Sequence, residues 1–233
     1  MIISHDRQTL FIGVPKNGSQ TARAVLGQIG VDLVGEMGRH PTVPEAIRLA
    51  EVRFPGETIA PAAIYAFWRD PVERFCSAVE FHKRCLPNSF VQLFPERFVG
   101  IEIHPRWFEI DPEAIELDMR AVIDSIPPID ILAALPPPAV PGGPFHSRKG
   151  NLSFYRRQSE WLEYPGIALL PFADYEQCIR EVVSQLGGAE QQLVLPHLNA
   201  TQAGPSQLTP GECAMVQAFY EPDMAFGSRV NAL

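Results

Sequence analysis

Short apolar runs alternate along this chain with longer stretches in which apolar residues recur at helical spacing. The apolar runs cover residues 9–14, 31–34, 62–68 and 167–172, and they predict short buried strands. Helical patterns cover residues 22–29, 42 to about 53, 71 onward, 112–126, 175–186 and 209–220. Thr42 and Glu45 fit a capping box at the start of the second helix. The alternation of strands and helices indicates an α/β fold.

The first predicted strand leads through a short polar turn into the first helix. Pro15 stops the strand, and the turn then consists of Lys16, Asn17, Gly18, Ser19, Gln20 and Thr21. The N–H groups of a helix's first turn point outward, and the helix dipole adds partial positive charge there. Gly18 lets a ligand approach the backbone closely, and Ser19 and Thr21 add hydroxyl donors. Because Lys16 adds a full charge, the turn is predicted to bind phosphate or sulfate.

A second strand-to-helix junction follows the third predicted strand. Arg69 lies at the carboxyl end of that strand, and Ser77 lies two turns into the next helix. Asp70 is interpreted as the N-cap of this helix, with Pro71 at its first position and Glu73 closing a capping box, rather than as a magnesium ligand. Since a planar Arg fork and a hydroxyl suit phosphate, Arg69 and Ser77 could hold one further anion.

The two junctions resemble the two phosphate-binding motifs of sulfotransferases that use 3′-phosphoadenosine 5′-phosphosulfate (PAPS). The sequence Pro-Lys-Asn-Gly-Ser-Gln-Thr at 15–21 is similar to the family's 5′-phosphosulfate loop. The sequence Arg-Asp-Pro-Val-Glu-Arg-Phe-Cys-Ser-Ala at 69–78 is similar to its 3′-phosphate motif, and residues 158–162, 195–200 and 209–220 also resemble the family. The resemblance is nearest to the carbohydrate branch, including heparan sulfate 2-O-sulfotransferase-like enzymes. It implies a three-layer, P-loop-like sulfotransferase fold with a mainly parallel sheet.

The resemblance also implies a reaction, namely transfer of a sulfuryl group from PAPS to a hydroxyl of a small-molecule or glycan acceptor. Lys16 would stabilise charge on the leaving phosphate, and His40, which matches a loop histidine of the carbohydrate branch, would take the acceptor proton. The donor would be held at its 5′-phosphate by Lys16, Asn17, Gly18, Ser19, Gln20 and Thr21, and at its 3′-phosphate by Arg69 and Ser77. PAPS is the implied co-substrate, and no metal is implied.

Alternatives remain for the base and for the activity. His82, in the helix that follows Arg69, is a competing base, although a solvated or packing role is favoured for it. A P-loop kinase-like phosphotransferase would need a Lys after the last Gly of the loop and a metal-binding carboxylate, and neither is evident. A non-catalytic nucleotide-binding module would use the same loops without a base, so the role of His40 separates it from an enzyme.

Composition and net charge limit which binding partners and which cellular compartment we expect for this protein. A formal net charge of −8 argues against a nucleic-acid partner, whose affinity would come from a basic face. No apolar run approaches the ~20 residues of a membrane helix, and the 4 scattered cysteines are interpreted as reduced thiols of a cytoplasmic protein. The length of 233 residues predicts a single sulfotransferase domain over 1–233, with a less regular, proline-rich insertion at about 86–151. The oligomeric state is left open.

Overall fold

The structure is a computed structural model that describes residues 1–34, 40–85, 88–100, 117–135, 154–188, 195 and 208–230. The chain divides into two compact units. The first is formed by residues 1–70, 157–200 and 220–233, and the second by residues 71–156 and 201–219. The single domain over residues 1–233 stays a prediction. All candidate site residues that precede Pro71 belong to the first unit.

A five-stranded mixed sheet forms the centre of the first unit. Its strands are β1 (Ile2–Ile3), β2 (Thr9–Ile12), β3 (Val31–Asp32), β4 (Ala63–Trp68) and β5 (Ile167–Pro171), in the spatial order β3-β1-β2-β4-β5. β2 and β5 each pair with β4 in parallel, whereas β1 pairs with β2 and β3 in antiparallel fashion. The predicted α/β class is confirmed, with parallel strands at the core of the sheet. The sequence does not predict β1, because a strand of 2 residues is too short to show a period.

The helices of the described residues vary in length and belong to both units. They are α1 (Ser19–Leu26), α2 (Val43–Arg53), α3 (Pro71–Cys85), α4 (Asn88–Leu93), α5 (Leu117–Ser125), α6 (Pro128–Ala134), α7 (Ser159–Leu162), α8 (Tyr175–Gln185), α9 (Pro210–Phe219) and α10 (Glu221–Gly227). Short 3-10 turns lie at Pro95–Phe98 and Phe172–Asp174. In the ranges that the structure describes, no helix has the length and apolar character needed to cross a bilayer.

Helices cover both faces of the sheet in the first unit. One buried cluster joins Phe11 and Phe67 of the strands to residues of α1 and α8. The other joins Leu10, Ile12 and Ala66 to residues of α2, α7 and α10. Because successive strand residues point to opposite faces, the apolar strands supply both clusters at once. The first unit therefore has three layers, with the sheet in the middle.

Local sequence signals determine several helix boundaries. The backbone N–H and the hydroxyl of Thr42 both donate to the Glu45 carboxylate, at 2.8 and 2.9 Å, so the predicted capping box is confirmed. α2 then ends at Arg53, as predicted. α3 begins at Pro71, also as predicted. α8 is followed by Gly187 with φ +83°, which is the left-handed residue that commonly ends a helix.

Several boundaries differ from the prediction, among them the end of β2 at Ile12 rather than at residue 14, the start of α1 and the end of β3. α1 begins at Ser19 rather than at Ala22, because the left-handed conformation of Gly18 turns the chain into the helix three residues earlier. β3 ends at Asp32, whereas the predicted strand extends to residue 34. There the Asp32 carboxylate accepts the Val34 N–H at 3.0 Å, which is a local turn that competes with strand pairing.

The second unit is helical in its described residues. α5 covers the later part of the predicted helix 112–126, whose first residues lie outside the described ranges. The sequence does not predict α4 or α6 in the less regular insertion. α6 begins at Pro128, where the missing proline N–H costs no helical bond. Residues 101–116 and 136–151 of the insertion, and residues 196–200 of the C-terminal resemblance, lie outside the described residues.

Candidate anion-binding site

The turn at residues 16–21 and Arg69 meet at one edge of the sheet. The turn follows β2 and Arg69 follows β4, so both lie beyond the carboxyl ends of neighbouring parallel strands. Nη1 of Arg69 donates to the Lys16 backbone carbonyl at 3.1 Å. The guanidinium carbon lies 4.4 Å from the centre of the Phe172 ring, a cation–π contact that supports the flat face of the guanidinium. The structure therefore brings the charge of Arg69 against the turn that carries Lys16.

Two residues in the left-handed conformation shape the turn. Lys16 has φ +66° and Gly18 has φ +69°. This conformation costs a non-glycine residue about 1–2 kcal/mol, so Lys16 is held under mild backbone strain. Gly18 is the N-cap of α1, and the first bond of the helix runs from the Ala22 N–H to the Gly18 carbonyl at 3.0 Å. The first helical turn, with its outward-pointing N–H groups, therefore begins at Ser19, directly after Gly18. Ser19 is half-buried.

Asn17 supports the turn from inside the protein. Its side chain is 1% exposed, and Nδ2 donates to the Phe67 carbonyl and to Oε1 of Gln158, both at 2.6 Å. Its backbone N–H donates to the Val14 carbonyl at 3.3 Å. The side-chain and backbone N–H groups of Asn17 are therefore engaged within the protein, whereas its buried Oδ1 accepts no hydrogen bond among the described residues. Asn17 acts on the site by fixing the turn. By contrast, the side chain of Gln20 is exposed.

Tyr175 closes the turn from the side of α8. Its hydroxyl donates to the Gly18 carbonyl at 2.8 Å, and its ring stacks on Phe67 with centroids 4.5 Å apart. Burial raises the pKa of Tyr175 above its ordinary value, so the hydroxyl keeps its proton and remains a donor. A Cβ placed on Gly18 would lie 2.5 Å from Cε2 of this ring. Glycine is therefore required at position 18 by the packing as well as by the backbone conformation.

His40 lies beside the start of the turn. Nδ1 of His40 is 2.6 Å from the Gly13 carbonyl. Gly13 is itself close to the start of α1, because a Cβ placed on Gly13 would lie 3.2 Å from Cβ of Ser19. Because a carbonyl can only accept, Nδ1 carries the proton, and the lone pair of a neutral imidazole is then on Nε2. The indole Nε1 of Trp161 donates to the His40 carbonyl at 2.7 Å and fixes the backbone. This half-buried histidine has the tautomer that a general base needs.

Gln158 connects the turn at residues 16–21 with the segment that carries Arg69. Its Oε1 accepts the Arg69 N–H at 3.1 Å as well as Nδ2 of Asn17, and its Nε2 donates to the Arg69 carbonyl at 2.7 Å. The sequence singles out Gln158 and Trp161 only through the family resemblance of residues 158–162. Tyr175 has no sequence signal beyond its place at a helix start. The contacts by which these residues support the site are therefore found only in the tertiary structure.

Ser77 and His82 belong to the second unit. Ser77 lies in α3 and is 3% exposed, and its role in holding a phosphate together with Arg69 stays a prediction. His82 is fully buried in the same helix. Its Nδ1 lies 2.8 Å from the Ala78 carbonyl, and its ring stacks on Tyr155 with centroids 4.6 Å apart. This environment favours the packing role for His82 over the role of a catalytic base.

No family model, curated protein or solved structure matches the chain. The chemical groups of the site itself indicate which reactions it can support. Lys16, Arg69 and the start of α1 all favour a bound oxyanion, and His40 can take a proton beside them. This combination suits the transfer of an acidic group from an anionic donor.

Gly18→Ala should destabilise the protein by about 2–4 kcal/mol, from the left-handed backbone and the clash with Tyr175 together. Gly56→Ala is the matched control, because Gly56 has φ +87° and, apart from its chain neighbours, no described residue has an atom within 4 Å of the added Cβ. That variant should lose only about 1–2 kcal/mol. Urea denaturation gives the free energy of unfolding of each variant. Equal losses at the two positions would show that Tyr175 does not pack on Gly18 in solution.

Proposed function

We propose that this protein is a PAPS-dependent sulfotransferase with a P-loop-like sulfotransferase fold, acting on a hydroxyl of a small-molecule or glycan acceptor. The observation that carries the proposal is the 3.1 Å contact between Arg69 and the Lys16 turn, with His40 bound to Gly13 beside the same turn. Two cationic side chains, a helix N-terminus and a histidine suit group transfer from a nucleotide that has two anionic ends.

The donor presents two anionic ends to these residues. The 5′ end carries the sulfuryl group, and the start of α1, the Ser19 hydroxyl and the Lys16 ammonium together suit its oxyanions. The 3′-phosphate is assigned to Arg69, whose planar fork can bind two phosphate oxygens at once. Ser77 is assigned to the same phosphate, as the sequence predicts. Phe172 holds the plane of the Arg69 guanidinium and so restricts the direction of its donors.

The proposed reaction forms one bond and breaks one. The acceptor oxygen attacks sulfur, while the bond between sulfur and the bridging phosphate oxygen breaks. That oxygen leaves with the bonding electrons on 3′-phosphoadenosine 5′-phosphate, and Lys16 stabilises the negative charge that develops there. Nε2 of His40 takes the proton of the acceptor hydroxyl. The bond between Nδ1 and the Gly13 carbonyl orients the ring and stabilises the imidazolium that results.

The first prediction of this proposal concerns the donor site. Adding 3′-phosphoadenosine 5′-phosphate should raise the melting temperature clearly more than equal concentrations of AMP or ATP. Ligand binding stabilises the folded state in proportion to its affinity, and only this nucleotide occupies both anion positions. A thermal melting series with the three nucleotides measures the difference. A larger shift with ATP would favour the kinase-like alternative, and equal shifts with AMP would remove the 3′-phosphate assignment.

The second prediction concerns Arg69. Arg69→Ala removes a charge-assisted contact of roughly 1.5–3 kcal/mol, so the affinity for 3′-phosphoadenosine 5′-phosphate should fall at least about tenfold more than the affinity for AMP. Arg69→Lys should recover part of the loss, because it keeps the charge but not the fork. Arg180→Ala, which removes a surface ion pair with Glu176, is the control. In isothermal titration calorimetry, a parallel loss for both nucleotides would refute the assignment.

The third prediction concerns His40. His40→Ala should lower turnover by about 10²–10⁴-fold and leave donor binding almost unchanged, because the base contacts the acceptor hydroxyl. Sulfate transfer from labelled PAPS to a panel of hydroxylated acceptors measures turnover. The exposed His5 serves as the control, since His5→Ala should change nothing. Near-normal turnover by His40→Ala would exclude His40 as the base.

A further inference from the structure

Both the oxygen and the nitrogen of the Gln158 side-chain amide form hydrogen bonds with the two segments that form the candidate anion site. Gln158 is fully buried, and it contacts Arg69 through both the backbone N–H and the backbone carbonyl. The same Oε1 accepts Nδ2 of Asn17, the residue between Lys16 and Gly18. One amide group therefore joins the backbone after β4 to the turn after β2.

The hydrogen-bond donors and acceptors around Asn17 and Gln158 allow only one orientation of each side-chain amide. Nδ2 of Asn17 faces the oxygen atoms of Phe67 and Gln158, so a flipped Asn17 would place oxygen against oxygen. A flipped Gln158 would oppose an N–H to the Arg69 N–H and an oxygen to the Arg69 carbonyl. Both amides are therefore locked, and the distance between the two backbone segments is locked with them.

Asp223 fixes Gln158 in turn. Its carboxylate is fully buried and accepts the backbone N–H of Gln158 at 2.7 Å and of Ser159 at 2.8 Å, at the start of α7. The Asp223 carbonyl accepts the indole N–H of Trp68 at 3.2 Å, one residue before Arg69. The backbone of Gln158 is thus held by a buried carboxylate, while its side chain bonds to Asn17 and Arg69.

We infer that Gln158 is a positioning residue that sets the separation between the Arg69 guanidinium and the Lys16 turn. This inference rests on the proposed function, because the separation matters only if one donor molecule spans both anion positions. Without the Gln158 amide, the part-buried N–H and carbonyl of Arg69 and the buried Nδ2 of Asn17 would each lose a partner. The backbone would then shift to recover hydrogen bonds, and the two anion positions would no longer match one nucleotide.

Two substitutions at Gln158 test this role. Gln158→Met keeps the length of the side chain without its hydrogen bonds, and Gln158→Asn keeps the amide but withdraws it by one methylene. Each should weaken binding of 3′-phosphoadenosine 5′-phosphate at least about tenfold in calorimetry, while AMP binding should fall much less. Gln28→Met is the matched control, because Gln28 is exposed and its amide donates only to the nearby Ala24 carbonyl. It should bind both nucleotides like the wild type.

A double-substitution cycle separates positioning from a merely structural role. If Gln158 acts through Arg69, then Gln158→Asn should weaken nucleotide binding less than about twofold in an Arg69→Ala background. A structural role would instead lower the melting temperature and leave the affinity of the folded protein unchanged. Additive losses, or unchanged affinity in Gln158→Asn, would overturn the inference while the proposed function stands. Absence of binding by the wild type would overturn both, and Gln158→Asn supplies the measurement if Gln158→Met does not fold.

Discussion

Parallel pairing of β2 with β4 is the constraint on which the candidate site depends. The register sets Thr9 opposite Ala63 and Ile12 opposite Ala66, so the two strands end at the same edge of the sheet. Apolar packing on both faces maintains this register, because a slip of one residue would turn every strand side chain to the wrong layer. The closeness of Lys16 and Arg69 follows from the pairing, although the two residues are 53 positions apart in the chain.

Buried polar groups behind this edge turn proximity into a defined geometry. Asn17, Gln158 and Asp223 are each at most 1% exposed, and all three make hydrogen bonds at or below 3.1 Å. An unsatisfied buried polar group costs about 1–3 kcal/mol, so such a network strongly favours the arrangement in which these hydrogen bonds are made. The hydrogen bonds of Asn17 and the contact of Arg69 with the Lys16 carbonyl also keep Lys16 in its mildly strained left-handed conformation. In the proposed function, a site built in this way needs little reorganisation when the anionic donor arrives.

The local charge of the site contrasts with the charge of the whole chain. The net charge of −8 repels extended polyanions, whereas Lys16, Arg69 and the start of α1 attract an anion at short range. Because salt screens charges beyond about 8 Å, the near groups dominate for a small bound ligand. In the proposed reaction, this contrast favours a compact anionic donor and an acceptor of low charge.

The sequence by itself determined the α/β class, the start of α2 and α3 and the polar turn after β2. These features depend on short-range patterns, such as the Thr42–Glu45 capping box and the proline at the start of α3. The sulfotransferase fold and the role of Ser77 stay predictions. Only the tertiary structure decided the antiparallel strand β1, the inward side chain of Asn17 and the place of Gln158. Asn17 and Gln158 are 141 positions apart, and no local period links them, because their contact exists only after the sheet and α7 have packed.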